Sequence, residues 1–145
     1  MKRELADAIN RQIAGMTVLY EKLHHYHWFV KGPSFYTLHA KFEDLYNEAA
    51  AAVDELAERL LAVGESPLST LKQCLEISPV REAAGGETAE QMVKQLIDDY
   101  GVLRKEIGAA IRLADEEGDD VTSDMLTSLA GQVDKNVWML RSFLG

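Results

Sequence analysis

The sequence predicts an all-α protein: a four-helix bundle with a short extra helix in the crossover between helices two and three. Three observations carry that expectation. Apolar residues recur at steps of three and four through four long stretches, the spacing of one helical face. All three prolines, Pro33, Pro67 and Pro79, fall between those stretches, where no helix interior is interrupted. No cluster of β-branched residues suggests a sheet. The 145 residues read as one domain, 1–145, long enough to bury about two-thirds of the surface that the unfolded chain exposes.

The first helix spans 3–31, with its stripe at Leu5, Ile9, Ile13, Met16, Tyr20, Leu23, His27 and Val30, and stops at Gly32-Pro33. The second follows Ser34, with Leu38, Phe42, Leu45, Ala49, Val53, Leu56, Leu60 and Val63 before Gly64. GESP (64–67) breaks the chain, LSTLKQCLEI (68–77) suits a short helix, and SPVREAAGG (78–86) is loop. Thr88 and Gln91 form a capping-box pair. They open a third long helix through Met92, Leu96, Tyr100, Leu103, Ile107, Ile111 and Ala114. EEGDD (116–120) is a break, and the fourth long helix carries Met125, Leu129, Val133, Val137 and Leu140. Helices of this length with short connections make a bundle.

Composition narrows the function classes. A net charge of −9 disfavours nonspecific nucleic-acid binding, which depends on neutralising phosphates, and suits a protein that concentrates cations. The lone Cys74 has no internal disulfide partner and fits a reducing compartment. The N-terminal MKRELADAIN lacks the apolar core of a signal peptide, and no apolar run reaches membrane-spanning length. The expectation is a cytoplasmic protein.

The chemistry gathers in His24–Arg59, which holds all four histidines. With Leu38 at zero and about 100° per residue, the apolar stripe centres near 15°. On the same wheel His39 falls at about 100°, Glu43 at about 140°, Asp54 at about 160° and Glu58 at about 200°. These four therefore share a face turned away from the core, as two i,i+4 pairs. The pairs are separated by roughly 22 Å along the axis, too far for one ion to reach both within one chain. A second copy, with this helix packed antiparallel across a two-fold axis near residues 48–49, would bring His39 and Glu43 to Asp54 and Glu58 of its neighbour. The small residues of EAAAA (48–52), notably Ala50, would permit the close approach, and the isologous contact would create two equal sites. His27 is the candidate additional nitrogen. Histidine and carboxylate donors suit iron, zinc or manganese. A di-iron centre inside one bundle would need two inward Glu-x-x-His motifs. Only Glu21 to His24 has that spacing, and the last two long helices contain no histidine. Each residue has a plainer reading. Exposed carboxylates commonly form a solvated face, His27 fits an apolar stripe, and Trp28 and Trp138 fit as packing residues.

The run HWFVKGPSFYTLHAKFEDLY (27–46), followed by DELAERLLAVGESP (54–67), resembles the Dps family, the mini-ferritins of the ferritin-like superfamily. The likeness covers essentially the whole chain, to DKNVWMLRSFLG (134–145). The resemblance implies a homododecamer, a hollow shell of tetrahedral symmetry built on two-fold dimers. Each inter-subunit site would hold two irons, with His27, His39 and Glu43 from one subunit and Asp54 and Glu58 from its neighbour. Many members have Asp at the position of Glu43, so the longer arm is a departure. The implied activity is a ferroxidase reaction, oxidising Fe(II) with H2O2 or O2 and storing Fe(III) mineral in the shell. The resemblance further implies protection against oxidative stress. Trp28 resembles the family tryptophan beside the ligands. Asp115, Asp120 and Asp124 match acidic residues lining three-fold pores for iron, although Asp119 and Asp120 also suit a helix N-cap. The alternative function is a nucleoid-binding protective shell with little catalytic role. The chain lacks a Lys-rich tail beyond Lys2 and Arg3, so tight DNA binding is not expected.

Overall fold

The apolar stripes fold into five helices and no strand over residues 1–145 of the computed structural model. They are α1 (Arg3–Phe29), α2 (Phe35–Ala62), α3 (Leu71–Ile77), α4 (Ala89–Glu117) and α5 (Asp120–Leu144). This is the predicted bundle with its extra short helix. Helices α1 and α2 pack as one pair and α4 and α5 as another; α1 joins the pairs through α4, and α3 lies against α1. One continuous cluster of 30 buried residues runs through all four long helices, with Tyr26, Phe42, Leu19 and Leu56 among its largest fully buried members. No helix is long and apolar enough to cross a membrane.

Local chemistry sets the boundaries. Gly32, at a φ of 106°, takes a conformation open to glycine and turns the chain from α1 into α2. Thr88 and Gln91 form the predicted capping box at α4. Thr70 accepts from the Gln73 amide, so α3 begins at Leu71, three residues inside the predicted 68–77. The acidic break is also shorter than expected. Helix α4 continues through Glu117, Gly118 closes it in the left-handed region at φ 69°, and Asp119 caps α5.

Three packing expectations change. On α5 the buried phase is Thr122, Leu126, Ala130, Val133, Asn136 and Leu140, whereas Met125 and Leu129 are only half-buried. The cap explains the offset, because Asp119 draws Thr122 fully inward. Gln12 lies fully buried within the α1 stripe, where a polar residue was not expected. Trp28 and Trp138 are 61% and 64% exposed, so neither fills the core of this chain.

Candidate metal-binding half-sites

The end of α1 and the start of α2 bring His27 and His39 together. The imidazole Nδ1 of His27 lies 2.6 Å from the main-chain oxygen of His39, and Nδ1 of His39 lies 2.7 Å from that of His27. A carbonyl oxygen only accepts, so each Nδ1–H donates and each Nε2 keeps its lone pair. Metal-binding histidines are commonly oriented in this way by a main-chain acceptor on the second nitrogen. The rings stack, with centroids 3.7 Å apart and planes at 12°. Phe35 also stacks on His39, with ring centroids 4.9 Å apart. His27 is buried and His39 half-buried, so the aromatic walls leave little rotational freedom.

Glu43 stands one turn beyond His39, exposed on the same side of α2. Its Oε1 accepts from the Tyr46 hydroxyl at 3.2 Å. Partial burial, and then this bond to a carboxylate, hold the Tyr46 hydroxyl above the ordinary phenol range. Tyr46 also meets His27 edge-on at 5.5 Å and stacks on His24 at 3.8 Å. His24 is itself pinned through Nδ1 to the Tyr20 carbonyl at 2.9 Å. Trp28 packs at the outer edge of this aromatic group, 5.2 Å from the His24 ring.

Asp54 and Glu58 are exposed toward the other end of α2. Between the pairs, Ala49 and Ala52 point into the core, and Ala50 and Ala51 lie at the surface. The outer face of α2 thus carries His39 and Glu43, then the small exposed Ala50 and Ala51, then Asp54 and Glu58, with His27 beside His39 from α1. Within one chain, no three His, Cys, Asp or Glu side chains gather closely enough to hold a metal ion.

The pore candidates sit around the α4–α5 turn. Asp115, Asp120 and Asp124 are exposed, and none forms an ion pair. Asp115 accepts from the Ser123 hydroxyl. Asp119 is the residue that caps α5, through the Thr122 amide at 3.1 Å. Burial pushes the Asp119 carboxyl upward, but the bonds from Thr122 and the Arg59 guanidinium outweigh it and hold it below the ordinary carboxylate range.

Sequence reasoning missed Tyr46 and Arg59. The i,i+3 spacing of Glu43 and Tyr46 was an available signal. Arg59 meets residues about 60 positions away, and no local pattern announces such a contact.

Comparison with known proteins places these features in context. The family model described as "Ferritin-like domain" matches residues 6–145. General stress protein 20U of Bacillus subtilis is 52% identical over 145 residues, covering 100% of both chains. DNA protection during starvation protein 2 of Bacillus anthracis is 46% identical over 144 residues, covering 99% of each. The crystal structure of Dps from Staphylococcus aureus superposes with a TM-score of 0.97 at 51% identity, covering 99% of this chain and 97% of that one.

Proposed function

This chain belongs to the Dps family of ferritin-like domain proteins, and from that premise we propose that it is an iron-storing ferroxidase that works between two-fold-related copies. The carrying observation is the pair His27 and His39, whose Nδ1 atoms are each taken by the other's main-chain carbonyl. Two Nε2 lone pairs are therefore oriented before any metal arrives. Glu43 extends this half-site, and Asp54 and Glu58 of a neighbour complete it. The mixed donor set fits iron: imidazole holds Fe(II), and carboxylates favour the harder Fe(III).

With two irons per site, one hydrogen peroxide takes one electron from each Fe(II) and, with two protons, leaves as two waters. No hydroxyl radical is released. Asp115, Asp120 and Asp124 would ring a three-fold channel and draw in cations. The Fe(III) product would collect as mineral inside a twelve-subunit shell.

Stopped-flow Fe(II) oxidation with H2O2 against O2, together with native mass, tests chemistry and shell at once. A twelve-subunit mass and fast peroxide-driven oxidation are expected. Unimpaired oxidation by a His39→Ala/Asp54→Ala double variant would sink the assignment. A nucleic-acid role is not favoured at a net charge of −9; tight gel-shift binding at about 0.15 M salt would reverse that judgement.

A further inference from the structure

Arg59 follows Glu58 on α2, with Glu55 one turn back, yet its ion pair is made across the molecule. Its Nη2 donates to Asp119 Oδ1 at 2.9 Å, and its Nε donates to Thr122 Oγ1 at 2.8 Å. Thr122, fully buried, donates its hydroxyl to Asp119 Oδ2 and its amide to Asp119 Oδ1. The three side chains form a closed ring of hydrogen bonds. The Arg59 and Asp119 side chains are only 20% and 18% exposed. A planar guanidinium can occupy both positions of this fork, and an ammonium cannot.

Two consequences follow from that geometry. The last turns of α2, which carry Asp54 and Glu58, are fixed to the α4–α5 turn, which carries Asp115, Asp120 and Asp124. The Arg59 charge is also matched locally by Asp119, so no uncompensated cation stands beside Glu58, and the neighbouring aspartates stay unpaired.

We propose that Arg59 is a positioning residue that sets the carboxylate half-site relative to the acidic turn, so that a divalent cation gathered at the turn meets Asp54 and Glu58 correctly placed. The proposal rests on the assignment of Asp54 and Glu58 as metal ligands. Arg59 touches no metal; it acts through the helix end and the turn.

The test uses the assembled protein and Co(II) alone, whose visible absorption reports its ligand geometry. Wild type, Arg59→Lys, Arg59→Gln, Asp119→Asn and the Arg59→Gln/Asp119→Asn pair are titrated, with assembly checked by native mass. Each single variant should keep its assembly, alter the Co(II) spectrum and weaken binding about tenfold, the scale on which outer partners tune a metal site. The double variant should bind no more weakly than the worse single, because members of one network are not additive. Fe(II) oxidation should show the same split, with the half-saturating concentration raised more than the maximal rate is lowered. Unchanged Co(II) spectra and affinities in the variants would overturn the proposal, as would losses confined to variants whose assembly falls apart. If wild type itself binds no Co(II), the ligand assignment fails and this inference with it. If wild type binds and the variants match it, only this inference fails.

Discussion

Two buried polar groups show opposite sides of the same physics. Lys22 and Asp99 form an ion pair at 2.8 Å with side chains 2% and 7% exposed, and Lys22 also donates to the Arg81 carbonyl at 2.9 Å. Burial pushes the Asp99 carboxyl upward despite the ammonium beside it. Removing one partner leaves an uncompensated buried charge, so Lys22→Met should lower stability by about 3–5 kcal/mol. Lys22→Met/Asp99→Leu should recover most of that loss in urea titrations, since an apolar pair suits such a site. Gln12 is the reverse case. It is fully buried, and neither its amide nitrogen nor its oxygen meets a protein partner. Leucine has a similar volume and no polar atom to desolvate, so Gln12→Leu should raise stability by about 1 kcal/mol. A thermal melt that shifts downward would show that the amide is satisfied by solvent within the core. At this scale the sequence was partly informative. The spacing of His27, His39, Asp54 and Glu58 marked them as candidates, because helical periodicity converts spacing into direction. The same pattern could not reveal that His27 and His39 bind each other's carbonyls, which depends on how the turn at Gly32 closes.

Among the elements, existence and order were legible and phase was less so. Stripes of apolar residues give a helix its length and its inward face, and all five helices appear in the predicted order, with α3 beginning three residues late and α4 running on through Glu117. The exception is α5, whose face is set by the ring joining Arg59, Thr122 and Asp119. A tertiary contact overrides the local pattern there, and hydropathy treats Thr122 as an ordinary surface threonine. The ring also has a pH signature. Asp119 sits below the ordinary 3.8 in the folded protein, so its ionised form stabilises the fold. That contribution is complete above 3.8 and is lost as pH falls through the lower folded value. Asp119→Asn should therefore be less stable than wild type at neutral pH and lose less on acidification. Urea midpoints measured from about pH 7 to about pH 2 should converge at the acid end. Parallel curves would show that the ring contributes nothing through charge.

For the whole molecule, the proposed shared site asks most of the outer face of α2, with His27 added from α1. The small residues of α2 separate the two half-sites, and Ala50 lies at the surface between them. Ala50→Arg should leave the single chain helical by circular dichroism, prevent close pairing in native mass spectra and reduce Fe(II) oxidation to background. Normal oxidation by a monomeric Ala50→Arg protein would refute the shared site. The outward direction of Glu43, Asp54 and Glu58 was legible in the helical spacing. Trp28 and Trp138 were expected to pack and stand exposed on this chain, because residue size alone does not say which surface an aromatic side chain meets. The reciprocal bonds of His27 and His39 carry one more consequence, for the order of events in the cell. They join neighbouring helices across a short turn, a local contact with a small loop-closure cost. The two imidazoles are thus oriented by the polypeptide itself, unlike the ligands of small zinc domains, which are organised only when the metal binds. Iron scarcity should leave newly made chains intact and competent, waiting for cargo without being degraded for lack of it.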